Sequence, residues 1–216
     1  MSKPNAFRFY PKSFPNRKIQ PIVCEGPKCY RKCLAVGLDL DNTLIHSFDS
    51  PLEAKKFVGH PDYYEFDVDG KVFQGTKRPH LKEFIDELYR ISAIIVVFTA
   101  STRGYADKIV SIVFGQRPPD AVFTREDCLR IDGDLVKPLD LVYRQFPSLV
   151  RENLFVMIDD RVDVYNDQNR DNVINVKAWN SDNTDDKSLL DVLFHLNDFK
   201  TCNGDVRRNL RNLTQM

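Results

Sequence analysis

Apolar and polar positions divide the chain into runs of two kinds. Leu34-Ala35-Val36-Gly37-Leu38, Ala93-Ile-Ile-Val-Val-Phe98 and Leu154-Phe-Val-Met-Ile158 are unbroken apolar stretches. Without alternation, such runs suit strands covered on both faces, as in a parallel sheet. Ala121-Val-Phe-Thr124 and Val173-Ile-Asn-Val176 predict two shorter strands. Tyr64-Glu-Phe-Asp-Val68 alternates instead, and Asp69-Gly70 followed by Lys71-Val-Phe-Gln74 predicts a β-hairpin with a primed turn. A second Asp-Gly pair, Asp132-Gly133, predicts another small hairpin. Helical spacing appears at Leu81, Phe84, Ile85 and Leu88, with Pro79 expected at the helix start. Tyr105–Phe114, Leu139–Arg144 and Ser188–Leu196 are further predicted helices, and residues 46–62 are expected to form a loop. In the polar tail, 199–216, Arg207, Arg208 and Arg211 predict a last amphipathic helix.

Strands alternating with helices imply an α/β fold, a parallel sheet with helices on both faces. Ligands in such sheets bind beyond the carboxyl ends of the strands. Three strand ends here carry polar groups: Asp39 and Asp41, Thr99 and Ser101, Asp159 and Asp160. Asp39 and Asp41 stand two residues apart, so both side chains leave the strand on one face. Buried acids are costly unless something cationic sits between them. If the three strands are neighbours, their tips converge on one site.

Composition narrows the function classes. The chain has 216 residues, 42% hydrophobic and 29% charged, which suits one globular domain with tails. Basic and acidic residues balance at 31 each, so no overall field points to nucleic acid or an anionic membrane. The longest apolar run is too short to span a bilayer. With no signal-peptide pattern, a nuclear or cytoplasmic setting is the default. Residues 1–23 carry Lys3, Arg8, Lys12, Arg17 and Lys18 without an acid, and their prolines disfavour a presequence helix. They are expected to be an extended arm or docking tail. Cys24, Cys29 and Cys33 cluster but lack the fourth ligand of a zinc site, so free thiols are expected, with a disulfide as the alternative. His46, His60, His80 and His195 share no spacing and are read as packing or surface groups, and Trp179 as core or rim.

Carboxylates from separate strands make a hard oxygen site suited to Mg²⁺. Thr99 and Lys137 add groups that can neutralise a phosphoryl oxygen. Phosphate-monoester hydrolysis is among the slowest uncatalysed reactions, with enzymic accelerations approaching ~10²¹. A nucleophile, an acid and charge stabilisation are therefore all expected. Asp39, at the strand tip, is the candidate nucleophile, and Asp41, just beyond it, the candidate acid. A solvated acid cluster is the bland alternative. Thr99 and Lys137, each ordinary alone, count against it by their order in the chain.

Asp39-Leu-Asp-Asn-Thr43 resembles the DxDx(T/V) signature of haloacid dehalogenase-like phosphatases. The fuller DLDNTLIHS is similar to the branch that dephosphorylates the C-terminal domain of RNA polymerase II. Lys77-Arg78-Pro79, Phe98-Thr-Ala-Ser101, Tyr105-Ala-Asp107, Arg125-Glu126 with Cys128, and Val136-Lys137 resemble that branch in order. Ile158-Asp159-Asp160-Arg161 looks most like the larger polymerase-tail phosphatases, and Trp179 with the Asp185-Asp-Lys-Ser-Leu-Leu190 segment more like the small ones.

The resemblance implies a haloacid dehalogenase-like domain over 24–200 without a large cap, followed by a polar or basic tail at 201–216. It implies that Asp39 forms an aspartyl-phosphate while Asp41 serves as acid and then base. Thr99, through hydroxyl or backbone, and Ser101 would bind the phosphoryl group, and Lys137 would hold phosphate and Asp39. Mg²⁺ would be bound by Asp39, the Asp41 carbonyl and one acid of the Asp159/Asp160 pair, Asp160 by the family pattern, with Asp159 beside Lys137. The small phosphatases have Asn where this chain has Asp160, a charge that Mg²⁺ or Lys137 must offset. They also carry an Arg in the β insertion, at residues 119–136 here, where this chain has Asp132. An anion there opposes a phosphopeptide.

The implied partner is a phosphoprotein or phosphopeptide, the RNA polymerase II C-terminal domain among them, with neither membrane nor direct nucleic-acid binding. No BRCT-like extension is expected. A translocase-type preprotein receptor and a small-molecule or nucleic-acid-end phosphatase are the alternatives on the same fold.

Overall fold

A computed structural model describes residues 34–147, 150, 152–199 and 205–213. Its centre is β1 (Leu34–Leu38), flanked by β5 (Ser92–Phe98) and β9 (Phe155–Asp159), with β6 (Ala121–Phe123) and β10 (Val173–Asn175) at the edges. The order β10-β9-β1-β5-β6 is parallel throughout. From β1 the chain builds outward through β5 to β6, then returns to the other side of β1 for β9 and β10. The sheet's switch point therefore lies at β1.

The side-chain period of two sorts the strands onto two cores. Leu34, Val36 and Leu38 join Ile95, Val97, Val156 and Ile158 on one face. Covering that face are α2 (Leu81–Ile91), α3 (Arg103–Phe114) and α6 (Ser188–Asp198). Ala35, Ile94, Val96, Phe98, Phe155 and Met157 face the other way, toward Leu139 and Val142 at α4 (Asp140–Gln145). Burial of both faces is why these strands read as unbroken apolar runs. Val206 and Leu210 of α7 (Val206–Leu213) enter the first core, so this polar-looking segment also has an apolar stripe.

Two insertions stand beside the sheet. A three-stranded antiparallel sheet has the order β2 (Ile45–Ser47), β4 (Lys71–Lys77), β3 (Tyr63–Val68). A hairpin joins β7 (Leu129–Ile131) to β8 (Asp134–Val136). At both Asp-Gly corners the two residues have positive φ: Asp69 at 52° and Gly70 at 80°, Asp132 at 53° and Gly133 at 96°. That is the twist a two-residue primed turn requires.

Several expectations are corrected. Residues 46–62 are not one loop: β2 opens that stretch, and α1 (Pro51–Ala54) follows a Ser50 cap whose hydroxyl accepts from the Glu53 amide. A three-residue strand is too short to show alternation. The Ser-Pro helix start was present but led to a single turn. Helix α2 begins at Leu81 and not at Pro79, because His80 sits in the left-handed region at φ 63°. The short α5 (Asp167–Arg170), capped by Asn166, has no apolar period to betray it. The arm at 1–23, the Cys24/Cys29/Cys33 cluster and Cys202 lie outside the described residues, and Cys128 is a free thiol. Among the described residues no helix is long and apolar enough to cross a membrane.

Candidate active site

β9, β1 and β5 are adjacent, and their registers run level: Leu38 pairs with both Ile158 and Val97. Asp39 and Asp159 come one residue beyond that level and Thr99 two residues beyond Val97, so all three stand at the carboxyl ends of neighbouring strands. The Asp39 amide continues the ladder by donating to the Ile158 carbonyl at 2.9 Å.

Lys137, which directly follows β8, projects its ammonium between two of these acids. Nζ lies 2.6 Å from Asp39 Oδ1 and 2.6 Å from Asp159 Oδ2, and all three residues are buried. Asp159 is held at both oxygens: besides Lys137, the Tyr165 hydroxyl donates to Oδ2 at 2.5 Å, and the Arg161 amide donates to Oδ1 at 2.8 Å. Asp39 keeps Oδ2 as the oxygen that Lys137 does not hold.

Asp160, half-buried, is oriented by Thr43. The Thr43 hydroxyl donates to Asp160 Oδ1 at 3.0 Å and accepts from the Asp160 amide at 3.0 Å. Thr43 is itself fully buried, and its carbonyl accepts from Arg78 at 3.0 Å. Arg78 also forms a fork to Asp186, at 2.8 and 3.0 Å. That fork ties the loop after β1 to the segment leading into α6. Burial alone would raise the Asp186 carboxyl, but the Arg78 fork holds it below the ordinary carboxylate range.

Asp41 turns away from this group. Ser101 Oγ donates to its Oδ2 at 2.6 Å and the Tyr105 hydroxyl to its Oδ1 at 2.5 Å. The Ser101 proton is thus engaged with Asp41, a different contact from the phosphoryl group expected of it. Thr99 is buried; its amide is occupied by the Phe123 carbonyl at 3.0 Å, and its hydroxyl accepts from the Ser101 amide at 3.1 Å. Its hydroxyl proton is what Thr99 can offer a ligand.

A sequence profile described as NLI interacting factor-like phosphatase matches residues 34–207. The chain belongs to that family. It is 31% identical over 158 residues to Phosphatase Herzog of Drosophila melanogaster, covering 72% of this chain and 41% of that protein. To the human carboxy-terminal domain RNA polymerase II polypeptide A small phosphatase 1 it is 32% identical over 177 residues, 81% of this chain and 62% of the relative. The chain thus spans less than two thirds of the length of either relative. A solved structure of Fcp1, described as an essential RNA polymerase II CTD phosphatase, superposes with a TM-score of 0.54 at 26% identity. That match covers 68% of this chain and 42% of the other. The fold is the haloacid dehalogenase-like one of these phosphatases.

Family membership sharpens the electrostatics. One ligand oxygen each from Asp39, Asp159 and Asp160 lies within 4.8 Å of the others. Of these three carboxylates, Asp39 and Asp159 pair with the Lys137 ammonium. Asp39 is held well above the ordinary carboxylate range by burial and by the charge of Asp159, against the pull of Lys137. Burial, then Asp159, raises Asp160 as well, against the Thr43 hydrogen bond. With Asp39, Asp159 and Asp160 all ionised, the cluster would carry more negative charge than Lys137 balances, which is why burial and Asp159 push Asp39 and Asp160 toward their neutral forms. A phosphate dianion entering the ionised cluster would meet net repulsion. A small divalent cation held by hard oxygens would reverse that sign, so the donor set fits Mg²⁺. Asp39, Asp159 and Asp160 are the carboxylates within reach of one such ion, and Asp159 is the most heavily engaged of them in hydrogen bonds.

Five contributors were missed: Ser47, Tyr64, Tyr165 and the orienting roles of Thr43 and Tyr105. Thr43 had a signal, its place in the DxDxT string. Tyr165 sits in a loop without period, and nothing local marks it as a partner of Asp159.

Proposed function

We propose that this protein is a Mg²⁺-dependent phosphoserine/phosphothreonine protein phosphatase that works through an aspartyl-phosphate on Asp39. The observation that carries this reading is the pairing of two differently held aspartates. Asp39 is clamped at one oxygen by Lys137, and Asp41 is steered away from that clamp by Ser101 and Tyr105.

Asp39 Oδ2 attacks phosphorus, forming an acyl-phosphate bond as the bond to the ester oxygen breaks. Asp41, entering protonated, gives its proton to that departing oxygen. Serine and threonine alkoxides are poor leaving groups, so a positioned acid matters most for them. Asp41, now ionised, takes a proton from water as the water oxygen attacks phosphorus. Inorganic phosphate leaves and the Asp39 carboxylate is restored. Lys137 holds Asp39 in place and offsets charge, and the Thr99 hydroxyl donates to a phosphoryl oxygen. Asp39 and Asp160 with the Asp41 carbonyl would hold Mg²⁺, which when bound supplies the positive charge the cluster lacks. Among the described residues the insertions are a small sheet and a hairpin. That arrangement leaves room for a peptide and favours a phosphoprotein, the polymerase tail included, over a metabolite enclosed by a cap.

Two outcomes check this. Release of p-nitrophenol from p-nitrophenyl phosphate is expected with Mg²⁺ and is expected to vanish in excess chelator, returning on Mg²⁺ addition. Absence of turnover on aryl phosphates and on a phosphopeptide panel would overturn the proposal in favour of a binding role. Asp132, exposed at the hairpin tip, is expected to repel an anionic peptide. Asp132→Arg should lower KM for polymerase-tail phosphopeptides about fivefold, since reversing one exposed charge contributes roughly 1 kcal/mol. Unchanged peptide kinetics would mean that the hairpin tip does not reach the substrate.

A further inference from the structure

We propose that Tyr105, backed by Ser47 and Tyr64, is a positioning residue for the Asp41 carboxylate. This makes the three-stranded insertion sheet part of the acid–base apparatus. The inference rests on the reading of Asp41 as the proton donor and adds the structure that aims it.

Asp41 lies on a half-buried loop, with two rotatable side-chain bonds to fix. Ser101 holds one carboxylate oxygen from the β5 tip, and Tyr105 holds the other from the first turn of α3. The Tyr105 ring packs on the insertion sheet. Its centroid is 5.7 Å from that of Phe66 and 5.0 Å from that of Phe73, the latter edge-on. Its hydroxyl also lies 2.6 Å from Ser47 Oγ on β2, which lies 2.8 Å from the Tyr64 hydroxyl on β3. Tyr64 reaches on to the His46 carbonyl at 3.4 Å. A line of hydroxyls thus runs from Asp41 through Tyr105 and Ser47 to Tyr64 inside the sheet. Burial raises the phenols of Tyr64 and Tyr105, so both keep their protons.

The sheet is built to admit this line. A Cβ at Gly75 on β4 would stand 2.4 Å from the Tyr64 hydroxyl oxygen and 2.2 Å from the His46 carbonyl. Only a bare Cα lets Tyr64 lie across β4 and reach Ser47. Body and tip of Tyr105 are both held by the insertion, as a preorganised proton donor requires, because a misplacement of about 1 Å can cost ~100-fold.

A group that only aims the acid matters in proportion to how badly the leaving oxygen needs a proton. Tyr105→Phe keeps the packed ring and removes the hydroxyl. Measured as kcat/KM with Mg²⁺, it is expected to lose about 30-fold on phenyl phosphate and on a phosphoserine peptide. On 2,4-dinitrophenyl phosphate, whose phenolate leaves unaided, the expected loss is under about threefold, given that positioned acid catalysis contributes ~10²–10⁴ in all. Ser47→Ala should show the same split in weaker form, and Ser47→Thr should restore the wild-type profile. Equal losses on all esters, or none, with both variants melting like the wild type, would overturn the inference and leave the phosphatase reading intact. A wild type inert on every ester would overturn both. If Tyr105→Phe does not fold, the Ser47 pair decides by the same split.

Discussion

Asp39→Asn is expected to reduce turnover of p-nitrophenyl phosphate by at least ~10⁴-fold while leaving the protein folded. The amide oxygen can still accept from Lys137, so the clamp survives, but the amide cannot donate an electron pair to phosphorus as a carboxylate does. Burial and Asp159 already disfavour a charge at this position in the metal-free protein. A neutral isostere therefore removes an unfavourable charge, and Lys137 remains paired with Asp159 at 2.6 Å. The variant should melt at or above the wild-type temperature in chelator at neutral pH. Loss of activity with unchanged or raised stability separates a chemical role from a structural one. Equal rates in the two proteins would remove Asp39 as the nucleophile. A large drop in stability would show that its charge is a net support of the fold.

The main sheet was legible because each of its features is local. β1, β5 and β9 are buried on both faces, so their residues are apolar without interruption, and polarity returns only where the strands end. Asp39, Thr99 and Asp159 stand at those ends, which is why the tips could be paired before their adjacency was seen. What stayed hidden depends on separation along the chain. Ser47 and Tyr105 are 58 residues apart, Thr43 and Asp160 are 117 apart, and Arg78 and Asp186 are 108 apart. A hydroxyl on a three-residue strand carries no sign of the phenol it will meet. Ser101 shows the same limit. Its place beside Thr99 suggested a phosphate contact, yet the turn after β5 aims its hydroxyl at Asp41.

Lys137→Met is expected to damage stability and activity together, by removing the only cation between two buried acids. Taking one partner from a buried ion pair typically costs about 3–5 kcal/mol, because the charge left behind stays desolvated. Here two carboxylates are left, so the upper end of that range is expected near neutral pH. The pH dependence has a definite sign. Burial raises Asp39 and Lys137 is the main influence lowering it, so removing the ammonium raises Asp39 further. Between its unfolded and folded pKa values Asp39 then binds more protons in the native state than in the unfolded chain. Stability consequently falls as pH rises through that window. Urea midpoints of metal-free wild type and variant should lie far apart at pH 8 and draw together toward pH 4. A gap independent of pH would mean that lost packing around the lysine stem, not unpaired carboxylate charge, accounts for the damage.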